Sequence, residues 1–174
     1  PRIAEQLRDS HFRAYHGCRT DNVADYLEHG LLANDPAHRR NAALHFIDQT
    51  PSLEWMRSNI DERIAATVLG RDAGQVYVGL DDRVQLNEAG AYLIYGSEWL
   101  ACLVGPAGWD ELRKFGIPTV FSVNIPARWL SEKELHEAVS ALLQEWTCTR
   151  VNNLGFIREL DFTPFIQRSI PPEF

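Results

Sequence analysis

Tyr15-His16-Gly17-Cys18-Arg19-Thr20, followed by a helix-like segment that stops at Gly30-Leu31, is the stretch on which the reading of the fold turns. His11 to His16 is predicted to be a short strand that delivers a histidine and a glycine to a turn. A helix starts just beyond, capped by Thr20 or Asp21. It buries Val23, Tyr26 and Leu27 and ends where Gly30 supplies a left-handed stop. A histidine beside a glycine at a strand end offers a ligand both an imidazole and an approachable backbone.

Outward from this block, residues 33 to 43 are polar and contain proline, and read as a loop. Thr50-Pro51 gives a cap with proline in the first helical position, after which Leu53, Met56, Ile60, Ile64 and Val68 recur at helical spacing up to Gly70. Gln75 to Leu80 is strand-like. Ala91-Tyr92-Leu93-Ile94-Tyr95 reads as another β-rich run, ending at Gly96, with Ser97 as the N-cap of a helix through Val104. A short helix around Trp109 to Lys114 precedes an alternating strand from Pro118 to Ile125. Ser131 and Glu134 form a capping box, and Leu135, Val139, Leu142, Leu143 and Trp146 mark one face of the long helix that follows. The tail from Gly155 reads as strands ending in Ile170-Pro171-Pro172-Glu173-Phe174. There is no regular βαβ rhythm, repeat or linker. The expected fold is therefore α+β with mixed or antiparallel sheets, in a single domain over 1–174.

Composition narrows the partners. The chain has 174 residues, 45% of them hydrophobic and 24% charged, as in an ordinary soluble globular protein. No apolar run is long enough to span a membrane, and no secretory leader is visible. Cys18, Cys102 and Cys148 are odd in number and lack zinc-ligand spacing. They read as reduced thiols in a cytoplasmic setting, with no disulfide frame and no metal site. The net charge of −7 disfavours an obligatory nucleic-acid partner, because His38-Arg39-Arg40 is the only dense basic spot.

The Tyr-His-Gly block, its amphipathic helix and the closing Gly-Leu resemble the first motif of the ADP-ribosyltransferase superfamily. The resemblance covers residues 13 to 31 best, extends to 89–104 and, more loosely, to 155–174; residues 33 to 88 match nothing. It implies two packed mixed or antiparallel sheets forming an NAD cleft, edged by helices. It also implies transfer of ADP-ribose from NAD, the substrate, to a protein or nucleic-acid acceptor. His16 would bond a ribose hydroxyl and Gly17 the nicotinamide amide, with Cys18 completing the nucleotide-binding segment. A strand tyrosine, Tyr92 or Tyr95, would stack on nicotinamide, Tyr95 being counted among the cofactor contacts and Tyr77 the outside candidate. Residues three apart on a strand face opposite ways, so only one of Tyr92 and Tyr95 can face the cleft.

A carboxylate would stabilise the sugar cation that forms as nicotinamide leaves. Glu98, in the first turn after Ser97, and Glu159, opening the terminal strand region, lead the candidates; Asp161 and then Gln167 follow. Here the chain departs from the superfamily pattern, since none stands at a diagnostic spacing before Ile170-Pro171-Pro172-Glu173. A first-turn glutamate that simply favours the helix dipole explains Glu98 equally well. Small transferases of this kind are often toxins or effectors, which implies a neutralising partner protein. Two other classes stay open: a degenerate NAD-binding or protein-interaction module, and an RNA 2′-phosphotransferase-like enzyme.

Overall fold

The computed structural model describes residues 2–67, 73–87, 90–153, 155, 160 and 162–174. Helix α1 (Arg2–Leu7) leads into strand β1 (His11–Thr20), helix α2 (Val23–His29) and helix α3 (Pro36–Asp48). A 3₁₀ segment (Pro51–Asn59) runs into α4 (Ile60–Thr67). Strand β2 (Val76–Tyr77) is followed by four short helices: α5 (Asp82–Asn87), α6 (Gly90–Tyr95), α7 (Glu98–Val104) and α8 (Pro106–Leu112). Strand β3 (Ile117–Pro126), the long α9 (Glu132–Val151) and β4 (Phe165–Ile166) complete the described elements. The fold class is α+β. The described ladders are antiparallel: β1 with β3, in a register that sets His16 opposite Phe121 and Gly17 opposite Val120, and β2 with β4. Among the described residues no helix is long and apolar enough to cross a membrane.

The β1–β3 ribbon separates two hydrophobic clusters. Successive side chains on a strand point to opposite faces. The even-numbered face of β1, with Ala14, meets Val123 and Ile125 of β3, Leu135 and Val139 of α9, and Ile166 and Ile170 of the tail. The second cluster is helical: Phe46 and Ile47 of α3, Leu53 and Met56 of the 3₁₀ segment, and Trp99 and Leu103 of α7. Burial of each such side chain contributes about 1.5–3 kcal/mol. α6 bridges the two regions, since Leu93 lies over Gly17 of β1 and Tyr95 packs against the second cluster.

Arg19, on the odd-numbered face, fixes this junction. Its Nε donates to the Phe115 carbonyl at 2.9 Å, and its two terminal nitrogens to Leu93 and Gly116 carbonyls at 3.0 Å each. One cation thus satisfies carbonyls at α6 and at the loop before β3, groups that would cost about 1–3 kcal/mol each if left buried and unpaired.

Several sequence expectations change here. β1 does not stop at His16: it continues through Gly17 and Cys18 to Thr20, paired to Ile117, so Gly17 lies within a strand and not at a turn. The cap of α2 is Asn22, whose side chain accepts from the Asp25 amide; Thr20 accepts instead from the Asn22 amide. Leu27 is 68% exposed, so α2 buries less than its pattern suggests. Gly30 does end the helix at φ +77°, and a Cβ there would lie 2.1 Å from the Ile170 carbonyl oxygen. Residues 36 to 43 of the expected loop are helical, capped by Asp35 with Pro36 in the first turn. The expected strand Ala91–Tyr95 is helix α6. Ser97 caps α7 and the Ser131–Glu134 capping box opens α9, both as expected. On α9, however, Leu142, Leu143 and Trp146 are exposed, and the buried residues are Leu135, Ala138 and Val139. Val68 and Gly70 lie outside the described residues.

Candidate functional site

β1 has β3 on one edge. On the other, the chain after β2 makes an isolated bridge, in which Tyr15 and Gly79 exchange N–H···O bonds of 2.8 Å each way. Backbone polar groups alternate sides along a strand. Gly17 therefore turns its N–H and C=O toward the same edge as Tyr15, while His16 and Cys18 turn theirs toward β3. One step along that edge, opposite Gly17, stands Tyr77, whose carbonyl is engaged by the His16 ring at 2.8 Å from Nδ1. An imidazole thus stands where a regular ladder would continue.

That bond fixes the chemistry of the ring. A carbonyl only accepts, so Nδ1 carries the proton and Nε2 presents a lone pair. Burial pushes the His16 imidazole below its ordinary pKa, and the bond to the Tyr77 carbonyl opposes this less strongly. A neutral ring whose Nε2 accepts, beside a glycine backbone edge, suits a ligand hydroxyl next to a planar amide.

Gly17 has a further reason to be glycine. A Cβ there would lie 2.5 Å from Gln85 Oε1, and one on Gly79 would lie 3.0 Å from Gln85 Nε2. The carboxamide of Gln85, carried by α5, therefore fills the gap between the two glycines. Gln85 is 6% exposed and its Oε1 has no hydrogen-bond partner. Sequence reading passed over this residue, because it lies in the mostly polar string Asp81-Asp82-Arg83-Val84-Gln85. The only available signal was its place beside Val84 in a short helix that follows a glycine-containing strand.

The base of α5 is anchored by Asp81, a second residue missed in the sequence. Its buried carboxylate accepts from Arg83 Nε at 2.8 Å and from the Leu160 amide at 3.0 Å. Hydrogen bonding from Arg83 is the main cause holding this carboxyl down at about 2, helped by the Leu160 amide and opposed by burial. A carboxyl depressed in the folded state stabilises it above the unfolded pKa, and that stability is lost as pH falls toward the folded value. Between pH 5 and 2 the protein should accordingly lose about 2 kcal/mol through this group. The comparison that checks it is acid unfolding of the native chain against Asp81→Asn, which should lack that increment; equal acid slopes would remove Asp81 from the account.

The remaining candidates are spread out. Tyr92 and Tyr95 are three apart on a helix, where such residues share a side, and not on a strand. Tyr92 is half-buried on α6. Tyr95 is engaged elsewhere: its hydroxyl accepts from Arg113 at 2.8 Å and its ring lies 5.9 Å from that of Trp109. The ring of Tyr77 meets Phe165 edge-on, so this residue brings its carbonyl, and not its phenol, to the site. Cys18 is buried on the cluster face of β1; burial raises its thiol to about 11, with a hydrogen bond to Tyr26 opposing. Burial thus favours the protonated thiol at neutral pH, which is a weak nucleophile. Glu98 occupies the first turn of α7 as expected but is exposed, while its neighbour Trp99 points into the second cluster. Gln167 is exposed just after β4. Glu159 and Asp161 lie outside the described residues. The Ile170-Pro171-Pro172-Glu173 segment is tied to the fold by the Ile170–Leu31 bridge.

Among the described residues no group of three or more His, Cys, Asp and Glu side chains converges as a metal site. A pocket of about 70 Å³ opens between α2 and the tail, lined by Tyr26, Phe121, Ile170 and Phe174 among others. It is apolar and does not include His16. Comparison with protein-family models, curated proteins and solved structures finds no match for this chain.

Proposed function

We propose that this chain is a mono-ADP-ribosyltransferase that binds NAD along the edge of β1 opposite β3 and transfers ADP-ribose to a macromolecular acceptor. The observation that carries this reading is the pairing of His16 and Gly17 at that edge: a neutral imidazole held by the Tyr77 carbonyl, next to a glycine whose backbone groups face the same gap. Nε2 of His16 would accept from a ribose hydroxyl and Gly17 would bond the nicotinamide carboxamide. Tyr92 or Tyr95, both on α6, would supply the aromatic ring for nicotinamide. Glu159 becomes the leading carboxylate, because Glu98 is solvent-exposed on α7. That same exposure supports a second reading, an NAD-binding module of this class without turnover.

Incubation of the protein with labelled NAD and a cell extract separates the readings. Label in protein or nucleic acid is the expected result and identifies the acceptor class. Binding of NAD with neither transfer nor release of nicotinamide favours the module. Absence of NAD binding overturns both.

A further inference from the structure

Gln85 combines three observations that a packing role leaves unexplained. Its side chain is almost wholly buried, its Oε1 has no hydrogen-bond partner, and its carboxamide is seated against two glycines, 2.5 Å from where a Cβ would stand on Gly17 and 3.0 Å from where one would stand on Gly79. A buried acceptor left unpaired is destabilising, so the contact is held at a penalty. Leu93 closes the same gap from α6.

We infer that Gln85 is a self-inhibitory plug: its carboxamide packs over Gly17 on the face of β1 and closes that approach to the Gly17 backbone, so it must swing out before a ligand seats there. The inference rests on the reading of the β1 edge as an NAD site. The side chain and a ligand cannot both lie in the slot against Gly17, and the unpaired oxygen makes the closed position cheap to leave. With the slot filled in the resting protein, apparent affinity for NAD and for free nicotinamide is lowered by the fraction of molecules that are open.

The test is a side-chain series read by calorimetric titration with NAD and, separately, with nicotinamide, each variant being checked for native circular dichroism. Gln85→Ala empties the slot and should tighten both ligands about tenfold, the gain expected if roughly one molecule in ten is open. Gln85→Asn, which keeps the amide but shortens its reach, should fall between. Gln85→Met fills the slot without an orphan oxygen. It should bind no tighter than the native chain while melting a few degrees higher without ligand.

The reverse order, with Gln85→Ala weakest, would mean that Gln85 holds the ligand and would overturn the plug. Equal affinity across the series overturns it as well, as does a Gln85→Met protein that melts lower than the native chain. If neither the native chain nor Gln85→Ala binds NAD or nicotinamide while both remain folded, the NAD reading itself falls and takes the plug with it. That outcome is distinct from a native chain that binds and a variant that gains nothing.

Discussion

On the proposed reading NAD stabilises the folded chain, and replacing His16 with alanine should abolish that stabilisation. A ligand bound only by the folded state stabilises it by about 2.7 kcal/mol at a hundredfold excess over its dissociation constant. For a domain of this size that is a rise of about 5–11 °C in melting temperature. The loss follows from the placement of Nε2, the free acceptor of a ring whose other nitrogen is committed to the Tyr77 carbonyl. His16 is half-buried on a strand that stays paired to β3 whatever its side chain, so the unliganded variant should fold. Thermal scans of both proteins with and without NAD check this. An undiminished shift in His16→Ala would put the site elsewhere.

The second large effect concerns the acid. A carboxylate in contact with the sugar carbon that loses nicotinamide supplies about 3 kcal/mol, or a few hundredfold in rate. Glu159→Gln should reduce turnover by that factor and leave NAD affinity nearly unchanged, since the contact strengthens only as charge develops. Glu98→Gln should change turnover little, because its side chain is exposed on α7 and Trp99 carries the packing there. Single-turnover release of nicotinamide, measured beside equilibrium binding, separates the two quantities. A several-hundredfold loss in Glu98→Gln with none in Glu159→Gln would reverse the assignment.

What the sequence makes legible follows from local chemistry. Caps with a side chain to read, Ser97 and the Ser131–Glu134 box, mark the starts of α7 and α9 at the expected residues. Asp35-Pro36 carries the same kind of signal for α3, but the polar residues after it mask a helix that buries only Ala43, Phe46 and Ile47. Ala91–Tyr95 misleads for a different reason. α6 packs on two sides, with Leu93 over β1 and Tyr95 against the second cluster, so its apolar residues form the continuous run that a buried strand also shows. The length of β1 is hidden as well: Arg19 looks like a turn residue but continues the strand, its guanidinium hydrogen-bonded to three carbonyls.

The candidate site divides in the same way. His16 and Gly17 stand out because an uncommon pair of residue types falls on a predicted strand. The partners that give them their chemistry come from distant parts of the chain: a backbone carbonyl at Tyr77, a carboxamide at Gln85 and a second glycine at Gly79. Only tertiary structure brings these to the edge of β1.

The most direct measurement is a crystal structure with NAD bound. A ribose hydroxyl within hydrogen-bonding distance of His16 Nε2, with the nicotinamide carboxamide on the backbone of Gly17, is the predicted result. NAD seated away from the β1 edge, leaving the His16 ring untouched, would contradict it.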